Sequence, residues 1–120
     1  MVMKLFHDAD MGREEITAYR AIQQAAEVAM LDEAACPFLH MQDFCMEPPL
    51  IWMAMPLVGG GDLYKQLKAR KFGEGDAAKI MYGAWLALKF LHEGAGILHL
   101  DVKPQNMLWA ADNLVKPRLV

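Results

Sequence analysis

The spacing of apolar residues changes several times along this chain, and each change marks an element. Val2 to Phe6 is a short apolar run around one lysine, which predicts a strand. Asp8 to Gly12 reads as a turn. From Arg13 to Met30 the period becomes helical, with Ile16, Tyr19, Ile22, Ala26 and Ala29 on one face and Asp10 as the candidate cap. Asp32 to Pro37 breaks that helix. Phe38 to Phe44 and Leu50 to Met55 are expected strands, separated by Glu47-Pro48-Pro49. Pro56 to Gly61 is an extended connector ending in glycines, followed by a short amphipathic helix over Asp62 to Arg70 and a loop over Lys71 to Gly75. Asp76 to His92 carries the strongest helical signal. Ile80, Met81, Ala84, Trp85, Leu88 and Leu91 recur at helical spacing, and Leu86 and Phe90 make it apolar on further sides, so a buried central helix is expected. Gly94 and Gly96 stop it. Ile97 to Leu100 leads into a polar loop, Asp101 to Asn106. A strand over Met107 to Ala110, a turn at Asp112-Asn113 and a last strand over Leu114 to Val120 complete the pattern. This order is α+β rather than strict βαβ alternation.

Composition narrows the class. Of 120 residues, 55% are hydrophobic and 22% charged, with a net charge of −3. That excludes a disordered tail and a strongly basic nucleic-acid binder. The average hides an asymmetry. Residues 1–62 hold ten acids and three bases, and residues 63–120 hold five acids and nine bases. Two lobes suit such a chain better than one uniform module.

The two cysteines, Cys36 and Cys45, have no metal-site spacing, and a secreted disulfide framework is unsupported. Lys4, His7, Asp8 and Asp10 interrupt any signal-like apolar run, and no stretch in this chain is long enough for a membrane segment. The expectation is a cytoplasmic protein, with the nucleus left open. The ten methionines read as core filler.

The stretch richest in chemistry is His99-Leu100-Asp101-Val102-Lys103-Pro104-Gln105-Asn106. It places a carboxylate, an ammonium two residues on and an amide five residues on in one loop. Phosphoryl transfer needs those three groups together. The carboxylate orients an attacking hydroxyl and takes its proton, the cation neutralises phosphoryl oxygens, and the amide oxygen is a hard ligand for Mg²⁺. Pro104 stiffens the loop.

This loop resembles the H-R-D-x-K-P-x-N catalytic loop of eukaryotic protein kinases. The resemblance extends colinearly along the chain. Val2-Met3-Lys4 is similar to the family's V-A-x-K strand, which implies that Lys4 grips the α and β phosphates of ATP. Glu15 is similar to the helix glutamate that pairs with that lysine, and is preferred to Glu14 because Tyr19 shares its face. Cys36-Pro37-Phe38-Leu39 resembles the H-P-x-I/L segment, after extra residues 24–34 read as a longer helix or loop. Met53 to Tyr64 resembles the hinge between lobes. By that resemblance Met55 is the gatekeeper, Pro56 offers its carbonyl and Val58 its N–H to adenine, Asp62 binds ribose, and Leu108 is the apolar floor under the base. Asp101 and Lys103 are then catalytic and Asn106 ligates Mg²⁺. The implied fold is a partial two-lobe kinase-like α+β domain. Residues 1–55 belong to the small lobe, 56–62 to the hinge and 63–120 to the large lobe. Lys103-Pro104 implies the Ser/Thr type acting on protein substrates.

Departures from the family pattern sharpen these expectations. Leu100 replaces the arginine that receives an activation-loop phosphate in relatives, so control by such a phosphate is not expected. The glycine-rich loop would lie upstream of Lys4 and the D-F-G motif just beyond Val120, so a fragment or truncated gene model is the expectation, inactive when isolated. Gln42-Asp43-Phe44-Cys45 mimics D-F-G on the wrong side of the loop, and Gly73-Glu74-Gly75 mimics a dinucleotide fingerprint without a preceding strand. His7, His40 and His92 have no ligand spacing, and His99 is implied to be structural. The alternatives are a non-catalytic kinase-like binding module, or a small-molecule phosphotransferase of similar fold, which usually lacks the lysine two residues after the aspartate.

Overall fold

A computed structural model describes residues 1–111 and 114–117. The chain divides into two compact units, Met1–Leu57 and Val58–Val120.

The first unit is a three-stranded antiparallel sheet with one long helix. Strands β1 (Val2–Phe6), β2 (Asp43–Cys45) and β3 (Ile51–Met55) lie in the order β1-β3-β2. Lys4 pairs with Met53 and Phe6 with Ile51. Central β3 is the apolar strand, with Ile51, Met53 and Ala54 buried. Helix α1 (Ala9–Val28) buries Gly12, Ile16, Tyr19, Ile22 and Ala26, a stripe at successive spacings of four, three, three and four. Phe38, Leu39, Cys36 and Met41 complete the core from the segment between α1 and β2.

Three expectations need correction here. Helix α1 starts four residues before Arg13, because the Asp8 side chain, not Asp10, caps it by accepting from the Met11 N–H at 3.0 Å. The predicted Asp8–Gly12 turn is therefore mostly helix, and its glycine is packed rather than helix-breaking. The extra residues 24–34 fall partly in α1, which ends at Val28, two residues short of the expected Met30, and partly in the loop that follows. The predicted strand Phe38–Phe44 shrinks to Asp43–Cys45, since Phe38, Leu39 and Met41 are buried without strand pairing.

The second unit contains α2 (Leu63–Ala69), α3 (Glu74–Lys89) and a two-stranded sheet of β4 (Met107–Ala111) and β5 (Leu114–Pro117). Asp62 caps α2 by accepting from the Lys65 N–H at 2.8 Å. The helix α3 begins two residues before Asp76, whose carboxylate accepts from the Gly73 N–H at 3.3 Å, and runs into a π-helical turn over Phe90–Gly94. Leu63, Ile80, Ala84, Met107 and Trp109 form the core, with Phe72 packed against it.

Helix α3 is only half the buried helix its composition predicted. Ile80, Ala84, Ala87 and Leu91 are buried, but Met81 is 62% and Trp85 56% exposed. A side chain one residue along a helix points about 100° away, so the single core contact takes one stripe and leaves the other apolar face in solvent. Tyr82 and Trp85 stack on that face with centroids 6.3 Å apart. The expected turn at Asp112-Asn113 and the last three residues of the expected strand lie outside the described residues. Among those described, no helix is long and apolar enough to cross a membrane.

Candidate functional site

In the first unit, the strand and helix bring together the two residues singled out there. Lys4 Nζ lies 2.8 Å from both carboxylate oxygens of Glu15. The Glu15 side chain is 10% exposed and that of Lys4 41%. Glu14, the alternative one residue earlier, is exposed. The ammonium also lies over the Phe6 ring, 5.0 Å from its centroid. The pair is well formed because β1 alternates its side chains, sending Lys4 and Phe6 to one face, where α1 crosses. Met55 ends β3 opposite Val2, and Pro56 follows it.

In the second unit, the loop after α3 brings Asp101, Lys103 and Asn106 together. Asn106 is the one buried polar side chain among the described residues, 4% exposed. Its Nδ2 donates to the Asp101 carbonyl at 2.9 Å and to Asp101 Oδ2 at 3.0 Å. That fixes which end of the amide is nitrogen at Asp101 and turns its oxygen elsewhere. Lys103 Nζ is 3.4 Å from Asp101 Oδ2, with both side chains about half exposed. Such a pair adds little stability, about 0–1 kcal/mol. Its importance is that it holds a cation beside the carboxylate. Pro104–Asn106 forms one 3₁₀ turn, closed by the Asn106 N–H to the Lys103 carbonyl at 2.9 Å. His99 Nδ1 accepts from the Asp101 N–H at 3.2 Å, which places a ring proton, when neutral, on Nε2. Leu100, between them, has a left-handed backbone (φ 66°) and an 88% exposed side chain.

The ribose and base-floor candidates also meet. Asp62 and Leu108 are bridge partners, and the Trp109 N–H donates to the Gly61 carbonyl at 2.8 Å. Val58 lies at the start of the same segment, and its carbonyl accepts from the Gly61 N–H at 3.2 Å. What fixes this segment has no signal in the sequence. A Cβ on Gly60 would lie 2.5 Å from Trp109 Cδ1 and 2.6 Å from the Trp109 carbonyl oxygen. Glycine is needed for that close approach. Arg70 adds a guanidinium 4.7 Å from the Trp109 ring centroid and 4.7 Å from that of Phe72. A glycine run reads as flexible connector, and nothing local announces that a tryptophan 49 positions later packs on it. Gly60→Ala should therefore destabilise the protein by about 1–3 kcal/mol, read from denaturant midpoints. An unchanged midpoint would show that the segment yields freely.

The two decoys resolve as structure. Asp43-Phe44-Cys45 is β2, with Arg20 over the Phe44 ring at 5.4 Å, and Gly73 caps α3 after a helix rather than a strand. Cys36 and Cys45 are free thiols, and no group of three His, Cys, Asp or Glu among the described residues could hold a metal by itself. A cavity of about 810 Å³ beside α1 is lined by Arg20, Gln23, Glu27, His40 and Asp43 among others. Neither Lys4 nor Glu15, nor any candidate residue of the loop after α3, lines it.

Comparison with known proteins identifies the family. The family model described as "Protein kinase domain" matches residues 2–117. Human ribosomal protein S6 kinase alpha-4 is 33% identical over 101 residues, covering 83% of this chain and 12% of that protein. Human calcium/calmodulin-dependent protein kinase type 1B is 34% identical over 86 residues, covering 70% of this chain and 25% of that protein. Among solved structures, Rad53 1–466 in complex with AMP-PNP superposes with a TM-score of 0.64 at 27% identity, over 82% of this chain and 27% of that one. The chain thus spans a quarter or less of the length of these two curated relatives. With a match over nearly its whole length and a kinase fold in the described residues, this chain belongs to the protein kinase domain family.

Proposed function

We propose that this chain supplies the phosphate-holding pair and the catalytic loop of an ATP-dependent protein serine/threonine kinase. The observation that carries the reading is the Asp101–Lys103–Asn106 cluster, held by two hydrogen bonds from one buried amide. The similarity to two human protein kinases, and the AMP-PNP in the Rad53 complex, support nucleotide chemistry of this kind.

Each residue then has a task. Lys4, oriented by Glu15, holds the α and β phosphates. Val58 and Pro56 take the adenine edge, Met55 guards the pocket behind it, Asp62 takes the ribose and Leu108 supports the base. One Asp62 oxygen caps α2, which fixes the carboxylate's direction while its other oxygen can accept from a ribose hydroxyl. The acceptor hydroxyl oxygen bonds to the γ-phosphorus as the bond to the β–γ bridging oxygen breaks. The hydroxyl proton passes to Asp101, and ADP leaves. Lys103 offsets charge on the phosphoryl oxygens. Mg²⁺ fits the hard oxygen donors of this loop, and Asn106 would hold it through its amide oxygen, where the ion would neutralise phosphate charge.

Full-length protein incubated with Mg²⁺ and γ-labelled ATP should label serine or threonine peptides and not tyrosine peptides. Nucleotide binding without any transfer would instead make the domain a binding module. Leu100 adds an expectation about control. It carries no charge to receive a phosphate, so phosphatase treatment should leave the rate largely unchanged. A large loss of rate on dephosphorylation would show that another basic residue receives one.

A further inference from the structure

Gly12 lies one turn before Glu15 and opens the buried stripe of α1. A Cβ built on it would lie 2.8 Å from Ile51 Cγ2 and 2.8 Å from both Cβ and Cγ of Phe6. Carbon atoms settle at about 3.5–4.0 Å, so no side chain fits there without moving the helix or the strands. Phe6 and Ile51 are register partners, at the end of β1 and the start of β3. The bare Cα therefore seats the helix backbone directly on a paired strand position. The next residue pins the same turn from outside, with Arg13 Nε donating to the Met46 carbonyl at 3.1 Å.

Phe6 joins this contact to the chemistry. Its ring lies beneath the Lys4 ammonium at 5.0 Å, and its Cβ and Cγ face Gly12. Glu15 follows Gly12 at the i,i+3 spacing that makes helix residues neighbours. The depth of α1 at Gly12 thus sets how far Glu15 must reach to Lys4. We infer that Gly12 is a positioning residue for the Lys4–Glu15 pair, its missing side chain seating α1 where both carboxylate oxygens reach the ammonium. Its consequence for turnover rests on the proposed kinase function, whereas its geometric content does not.

A methyl at this position must push the first turns of α1 outward by about 0.7–1.2 Å to restore ordinary contact. Alanine is otherwise a better helix former than glycine. Any loss on Gly12→Ala therefore runs against helix propensity and points to the packing contact.

Zero-length carbodiimide cross-linking of the full-length protein reads the pair directly, since it joins a carboxylate and an amine only in contact. Mass spectrometry of tryptic peptides then measures the Lys4–Glu15 amide. Gly12→Ala should lower it about fivefold or more, because one helix displacement carries Glu15 beyond hydrogen-bond distance. Ile16→Val, which trims the same helix's core without touching its first turn, should leave it at the wild-type level. Gly12→Ala/Ile51→Ala removes one of the obstructing atoms and should recover part of it, and is read in place of the single variant if that fails to fold. In transfer assays Gly12→Ala should lower kcat by about tenfold or more, with Glu15→Gln as the reference. Wild-type cross-linking in Gly12→Ala, or no recovery in a folded double variant, would overturn the inference. Unchanged transfer in Glu15→Gln would instead remove the kinase role of the pair and leave the cross-linking result standing.

Discussion

Asp101→Asn should lower phosphoryl transfer by the full-length protein by about 10²–10⁴-fold, the usual contribution of a positioned general base. The substitution keeps the side chain's shape. Asn106 Nδ2 now donates to the Asp101 carbonyl at 2.9 Å and to Oδ2 at 3.0 Å. An asparagine could still present an oxygen to that amide, so the loop should stay folded. Its nitrogen would then face the other way, donating where an acceptor hydroxyl needs a base. Lys103, 3.4 Å from Oδ2, would also lose its ionic partner. Nucleotide affinity should change little, since no adenosine contact is assigned to Asp101. Turnover measured together with nucleotide titration checks both halves. Near-normal turnover would remove Asp101 from the chemistry. A matching collapse of affinity would mean that the substitution disturbed the loop rather than the proton transfer.

Much of this arrangement is legible in the sequence because the motifs encode local geometry. Asp101, Lys103 and Asn106 sit in one short loop, so their spacing nearly determines their meeting. The Lys4–Glu15 pair is less local, but a strand followed at once by a helix leaves few ways to place the two. What the sequence hides is tertiary. Gly12 and Gly60 look like breakers, and both are instead sites where a side chain would collide with Phe6 and Ile51 or with Trp109. Phe38, Leu39 and Met41 look like a strand because they are apolar and close together, yet they are buried without pairing. Burial can be read from hydropathy, but hydrogen-bond partners cannot. Trp85 and Met81 show the converse. An apolar helix face announces a capacity to be covered, and within the described residues neither is covered. The left-handed backbone at Leu100 has no signal either, since leucine is not a residue that favours it.

Lys4→Met should reduce kcat/KM by about 10²–10³-fold, the cost of removing one preorganised electrostatic contact to a charged reacting group. The substitution has a second, separable effect. Glu15 is 10% exposed and gives both oxygens to Lys4. Without the ammonium its carboxylate is left largely desolvated and loses two charge-assisted hydrogen bonds. Because Lys4 itself is 41% exposed, water can partly replace it, and the loss of stability should be modest, about 1 kcal/mol. Lys4→Met/Glu15→Gln separates the two effects. Removing the unpaired charge should restore most of the unfolding midpoint while leaving transfer as low as in the single variant. Arginine tests the geometry as well as the charge. The planar fork of Lys4→Arg could still pair with Glu15, but it is bulkier than an ammonium at a position already 5.0 Å from the Phe6 ring. Stability should then stay near wild type while transfer remains strongly reduced. Full activity in Lys4→Met would show that the ammonium has no part in holding the phosphates, and full activity in Lys4→Arg would show that charge alone suffices there.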